Sequence, residues 1–339
     1  MSRRRPSVVN VTPGELMPAS RSNDSSGHWK PSRQAPSGYR PGSGRAQQVR
    51  VWSEGTSCQR EPETKMAMTE RAPSDAELPE FGAPPVVEVV LGVQFRPIFG
   101  LRPVELAGLR ERWRSDYPLV QEQPPLPTQI ESPRVGPPQV QVVVGPALQS
   151  RIWFLNEAQT ELVQLQHDRL TVNWRQMRSN IAYPRYPHVR RAFADRFGDL
   201  HAFVAEQGMG VLSVVQAEVT YINAIELDDD QLGRLDRVLR NWRPPTSNHL
   251  GEPEQVRAAL VFPIADTGRP PVRMYVTVDP AQRSDGRPVQ FLTITVRGAP
   301  TEESLEGALQ FMDDAHGHVV RSFAELTPEP MHAVWERQR

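Results

Sequence analysis

Cysteine is nearly absent: Cys58 is the only one in 339 residues. This removes intrachain disulfides and thiolate zinc sites. Because Cys58 lies in a stretch without apolar patterning, it also removes a buried catalytic thiol. A cytoplasmic setting is the natural expectation. No run approaches the roughly 18 consecutive apolar residues that a membrane span needs. "MSRRRPSVVNVTPGELM" has no apolar segment of the kind a secretory signal carries, so no membrane association is expected. A glycine-rich turn able to cradle phosphate is missing as well, since "GSG" at Gly42 to Gly44 falls outside any strand-to-helix junction. So is the G-x-S-x-G elbow of serine hydrolases.

Balance of charge is misleading in the total. Lysine and arginine number 39 against 40 acidic residues, but the first fifty residues hold nine basic and two acidic side chains. Subtracting them leaves 30 against 38, a basic tail on an acidic body. Stretches such as "SRQAPSGYRPGSGR" lack the apolar surface to offset ordering entropy, so residues 1–80 read as a disordered Ser/Pro/Gly/Arg-rich arm. Met66 and Met68 stand just before the first strand-like run, and the native start is expected at one of them or at Met1. An acidic body argues against a nucleic-acid groove, which needs clustered cations. The arm alone could touch RNA, DNA or an anionic surface, or simply be a solvated segment.

Downstream the patterning is strong. Val87, Val89, Leu91, Val93 and Phe95 alternate, and Pro97 ends the run; Leu106, Leu109 and Trp113 follow at helical spacing. After the proline-rich connector "EQPPLPTQIESPRVGPPQ" come strand candidates "VQVVVG", "SRIWFLN" and "LVQLQ", the last turning at His167-Asp168 into "LTVNWR". Val189, Phe193, Phe197, Leu200 and Val204 form a helical stripe that "EQGMG" closes. The order then restarts. Val215, Ala217, Val219 and Tyr221 alternate, and Leu232, Leu235, Leu239 and Trp242 suggest a helix. "VRAALVFPI", "VRMYVTV" and "VQFLTITVRG" read as strands, with "QRSDGRP" as a turn, before a long helix carrying Leu305, Leu309, Met312, His316, Val319, Val320 and Phe323. The expectation is an α+β body of two β-α-β-β-β-α units, residues 84–210 and 211–335, in which a long helix covers each antiparallel sheet. In element order the arrangement resembles TATA-binding-like and helix-grip proteins.

Chemistry-bearing groups are few, and each has a simpler account. Asp313 with His316 and Asp314 with His318 have helical spacing, but without a second cluster such pairs are ion pairs more often than metal ligands, and no metal is expected. Asp228 to Asp230 suit the cap of the second helix, as Thr301, Glu302 and Glu303 suit the last one. Trp153, Trp174 and Trp242 are core aromatics or pocket walls. His316 sits in an apolar stripe, so it either has a buried hydrogen-bond partner or borders a polar cavity. On "LTVNWR" the apolar face is Leu170, Val172 and Trp174, which leaves Thr171, Asn173 and Arg175 on the other. Asn223 carries an amide into a position that the strand pattern reserves for core. If there is a site, Asn173, Arg175, Tyr221 and Asn223 are expected to converge on an anionic or carboxylate-bearing ligand, with Arg175 as the fork. The simpler account has Asn223 satisfying backbone at the strand end and Arg175 in a surface salt bridge.

"PPVVEVVLGVQFRP", "YPLVQEQPPLP", "RIWFLNEAQTELVQLQHDRLTVNWR", "YPRYPHVRRAF", "VTYINAIEL" and "FAELTPEPMHAVW" resemble, in content and order, a sporadically distributed family of uncharacterised bacterial proteins. The resemblance spans Pro84 to Trp335 and implies an outline without a reaction, cofactor or catalytic residue. The expected role is a non-enzymatic protein that binds a small anionic ligand or a partner protein, a partner role suiting an accessory of a defence or toxin-related locus. No catalytic residue or cofactor is assigned. The alternatives are an enzyme without a recognisable motif that uses His316 as acid or base, and a nucleic-acid-associated regulator acting through the arm.

Overall fold

The computed structural model describes residues 78–132, 150–178, 181–227, 233–243, 249–264, 271–283 and 286–339. The basic arm up to residue 77, the run "VQVVVG", Asp228 to Asp230, Leu232 and part of the "QRSDGRP" turn lie outside them. The strands are β1 (Val86–Phe95), β2 (Leu119–Gln123), β3 (Arg151–Leu155), β4 (Glu161–Gln166), β5 (Arg169–Arg175), β6 (Val214–Glu226), β7 (Ala258–Ile264), β8 (Val272–Gln282) and β9 (Pro288–Gly298). The helices are α1 (Ala107–Trp113), α2 (Tyr186–Glu206), α3 (Leu305–Leu326) and α4 (Glu329–Val334). Among the described residues, nine strands make one sheet in the order β2-β3-β4-β5-β1-β6-β9-β8-β7, with every pairing antiparallel.

Burial explains the alternation. Val89 and Leu91 of β1, Leu170, Val172 and Trp174 of β5, and Ala217 and Val219 of β6 are all closed to solvent. α2 lies over β5 and β1, α3 lies over β6 and β9, and the two helices touch. The stripe Val189, Phe193, Phe197, Leu200 and Val204 of α2 is buried, and each such side chain stabilises the fold by about 1.5–3 kcal/mol. α2 opens with Pro187 in its first turn and stops before Gly208, whose φ of 62° is open to glycine without strain. α1 rests on α2 through Trp113, which meets Phe154 edge-on at 5.0 Å and donates Nε1–H to Asp199 Oδ2 at 2.8 Å.

Four expectations need correction. β2 forms where the sequence suggested only the entry to a proline-rich connector; it is an exposed edge strand with no apolar face to betray it. The helix expected from Leu232 to Trp242 is, in its described part, a single 3-10 turn at Leu235–Arg237. There the Arg240 amide donates to Leu326 O at the end of α3 rather than to its own fourth-preceding carbonyl, so the helical ladder does not extend. The cap of α3 is Ser304, whose side chain accepts from Gly307 N at 3.1 Å, and not Thr301, Glu302 or Glu303. Finally, the closing helix is followed by α4.

The sheet face away from the helices is polar and is crossed by the connector. Gln166 Oε1 and Nε2 bind Leu126 N and O, Arg169 reaches Pro127 O, and Thr128 Oγ1 donates to Asp168. Gln94 then exchanges both bonds with Gln129, and Gln216 Oε1 accepts from Glu131 N. At the far end the Glu131 carboxylate receives Arg297, Arg273 and the Tyr275 hydroxyl. Residues 126–131 thus run across β4, β5, β1, β6, β9 and β8 as a strap. Side-chain amides substitute for a backbone ladder and satisfy most of the strap's backbone contacts, while Arg169 Nε and Thr171 Oγ1 on the same face are buried without a hydrogen bond among the described residues.

Candidate functional site

Helix α3 brings His316 over β6, where the histidine has the expected hydrogen-bond partner and borders a cavity, though a largely apolar and not a polar one. Its Nδ1 is 3.0 Å from the Tyr221 hydroxyl, and its half-buried ring borders a cavity of about 300 Å³. The imidazole stacks flat on Tyr186, with centroids 4.0 Å apart and planes 5° from parallel. Tyr221, in turn, shares a hydrogen bond of 2.9 Å with the Tyr183 hydroxyl. The result is a chain Tyr183–Tyr221–His316 whose protons can run in either sense, since each hydroxyl both donates and accepts. Tyr186 leaves this chain and donates to Asp313 Oδ1 at 2.8 Å. Asp313 is fixed by both arms of the Arg190 guanidinium, at 2.6 and 2.8 Å.

Burial pushes the hydroxyls of Tyr221, Tyr183 and Tyr186 well above the ordinary tyrosine value, and the Asp313 charge adds to the rise at Tyr186. All three remain protonated throughout the physiological range, so the cavity is edged by neutral donors. Its remaining walls are largely apolar: Val86, Val319, Val320 and Phe323 contribute side chains. Asn223, 2% exposed, also lines it. Its Nδ2 donates to Leu292 O at 3.1 Å, and no hydrogen bond within the described residues reaches its Oδ1.

One wall comes from the two ends of the described body. Gly82 N donates to Glu336 O, Ala83 N to Trp335 O, and Gln338 N to Glu80 O, with Phe81 bridging Arg337. Arg185 holds this wall from below: Nη1 donates to Phe81 O at 3.0 Å and Nη2 to Gly82 O at 3.3 Å. It does so from φ 73° and ψ 160°, a region nearly reserved for glycine that costs about 1–3 kcal/mol and tends to persist where surrounding structure demands it.

Tyr221, Asn223 and His316 are therefore brought together, while Asn173 and Arg175 are not. Val89 of β1 lies opposite Trp174 on one side and Tyr221 on the other, so Tyr221 and Asn223 share the helix-covered face with Trp174. Asn173 and Arg175 alternate onto the opposite face, and the expected convergence of all four residues fails. The physical reason is that a single helix layer gathers every apolar face, so polar side chains on the other face of β5 are carried away from it.

On that other face Asn173 is buried in a network. Its Nδ2 donates to Glu88 Oε1 at 2.6 Å, and its Oδ1 accepts from Gln164, which also accepts from Trp153 Nε1 and Arg151. Arg175 makes no ion pair among the described residues. Its guanidinium lies over Trp153 at 5.7 Å, and Nη2 donates to Gln159 O at 3.2 Å. The Asp–His pairs of α3 resolve differently too: Asp313 serves Arg190 and Tyr186, and among the described residues no group of three or more acidic, histidine or cysteine side chains is placed to hold a metal.

Sequence reasoning missed Tyr183, Arg185 and Tyr186, although all three stand in the quoted "YPRYP". The available signal was indirect. A histidine inside an apolar stripe must find buried partners, and tyrosines flanked by prolines at a helix start are fixed enough to supply them. No family model, curated protein or solved structure matches the chain. No helix among the described residues is long and apolar enough to cross a membrane.

Proposed function

We propose that the chain is a non-enzymatic binding protein that takes a small, mostly apolar ligand into the tyrosine-lined cavity and reads it through a single hydrogen-bond donor directed at Asn223 Oδ1. The observation that carries this reading is that amide oxygen. It belongs to a nearly fully buried side chain on the wall of a cavity of about 300 Å³, and no described residue bonds it. Binding cavities of this size are mostly apolar with a few placed polar groups. An acceptor on a cavity wall that no described side chain fills leaves room for a ligand that brings a donor. The histidine supports the same reading as a wall: its ring is clamped by Tyr186 and its Nδ1 is engaged with Tyr221.

Phenol, a flat ring with one hydroxyl donor, is a suitable probe. Saturation-transfer NMR is expected to show saturable binding to the full chain, with loss of the signal in Asn223→Leu and in Val320→Trp, which fills the cavity. Equal saturation in wild type and both variants sinks the reading.

We also infer that the body is a duplicated unit. Support comes from the strand order: β1 and β6, the first strands of the two halves, pair at the centre, each flanked by the last strand of its own half, β5 or β9, and a long helix follows the last strand of each half.

A further inference from the structure

We propose that a second cleft, formed by Arg240, Arg321 and Arg337 beside the end of α3, is a binding site for a phosphate group. The cleft encloses about 360 Å³ and shares only Pro79 with the walls of the tyrosine-lined cavity, and the proposal does not rest on the function assigned to that cavity. Three guanidinium groups come to it from three parts of the chain: the turn after the 3-10 helix, the penultimate turn of α3, and the C-terminal segment. Two carboxylates, Glu325 and Glu329, stand against them.

The balance is loose. Arg321 is half-buried yet makes no hydrogen bond or ion pair among the described residues, and Glu325, one helical turn further on, does not close on it. Arg240 meets Glu329 at 3.4 Å, but the Glu329 side chain is 79% exposed, and exposed pairs of this kind are readily exchanged. Arg337 is held in place by Nη1 against His332 Nδ1 at 3.1 Å and by Nε donating to Arg339 O at 3.0 Å. Burial is the main cause that holds His332 and His318 below their ordinary value; Arg337 and Arg240 add to it at His332 against Glu329, and Arg321 adds to it at His318 against Asp314.

Several acceptors at the end of α3 are already engaged by the protein. Phe323 O accepts from Thr327 N and Oγ1, Leu326 O from Arg240 N, and Thr327 O from Arg240 Nε. Three guanidinium forks and two carboxylates line the cleft, and Arg321 has no ion-pair partner among the described residues. A tetrahedral dianion with several acceptor oxygens matches that arrangement better than a monovalent ion does.

Inorganic phosphate titrated into the full chain by calorimetry at low ionic strength tests the assignment, with malonate as the carboxylate arm. Saturable phosphate binding is expected, weakened by about tenfold or more in Arg321→Ala through loss of charge-assisted hydrogen bonds, and less in Arg321→Lys, which keeps the charge. Val320→Trp, which blocks the neighbouring cavity, is expected to leave phosphate affinity unchanged. Should Arg321→Ala fail to fold, Arg321→Lys and Arg337→Gln carry the comparison. Absence of saturable phosphate binding by wild type, an affinity unaltered by loss of the arginine fork, or malonate binding as tight as phosphate overturns the proposal.

Discussion

Replacing Glu131 by alanine removes the anchor at the far end of the strap. Its side chain is 6% exposed, and its carboxylate receives Arg297 Nε at 2.9 Å, the Tyr275 hydroxyl at 2.8 Å and an Arg273 guanidinium that is itself only 8% exposed. Breaking one side of a buried ion pair costs about 3–5 kcal/mol, because the remaining charge stays desolvated. The lower end applies here. Arg297 keeps Gln129 Oε1 at 2.7 Å and Glu218 at 3.7 Å, and Arg273 keeps Ser132 O at 2.7 Å. A loss of about 3 kcal/mol lowers the unfolding midpoint of a body this size by roughly 6–12 °C. Glu131→Gln preserves the shape without the charge and is expected to cost less, about 1.5–3 kcal/mol. The exposed pair Arg96–Glu303 supplies the control, since Glu303→Gln should change nothing measurable. Burial alone would raise the Glu131 pKa, but hydrogen bonds from Arg297, Arg273 and Tyr275 outweigh it and hold the carboxyl below its ordinary value of 4.5. A carboxyl with a lowered folded pKa stabilises fully above its unfolded value and loses that contribution as pH falls through the folded one. Wild type should therefore exceed Glu131→Gln by a constant margin at neutral pH and lose the margin in acid below 4.5. Urea unfolding of both proteins across that range measures it. Equal stability at neutral pH, or a margin that grows on acidification, refutes the clamp.

Glu88 should behave in the opposite sense. Burial raises its pKa, only partly countered by the Asn173 hydrogen bond and the Arg175 charge, so keeping it ionised costs stability that grows as pH rises through the folded value. Glu88→Gln, which retains the acceptor for Asn173, is expected to match or exceed wild type in denaturant unfolding at pH 7–8, with the gain shrinking towards acid; a clear destabilisation at neutral pH contradicts this account. Ser304→Ala deletes the cap of α3 and should cost about 1 kcal/mol in the same assay, while an unchanged midpoint would show that the helix start is held by its packing alone.

Much of the framework was legible because one-sided burial imposes a short period on the chain. The alternation in β1, β5 and β6 and the stripes of α2 and α3 are local demands with periods near 2 and 3.6, and they appear in the structure except at Val87 and Val215, where register shifts bury Val86 and Val214 in their place. The position of His316 in an apolar stripe likewise announced a buried partner or a cavity. Pattern fails where the stabilising contact is remote. β2 is an exposed edge with nothing to alternate, and the turn at Leu235 is set by the end of α3. Only tertiary structure decided that Tyr221 stands beside His316, 95 residues away, and that Arg190 clamps Asp313 across 123. It also decided that Asn173 and Arg175 face away from Asn223. A strand's own sequence shows which residues share a side, but the common neighbour β1 determines which sides of two strands coincide. That register is a property of the assembled sheet.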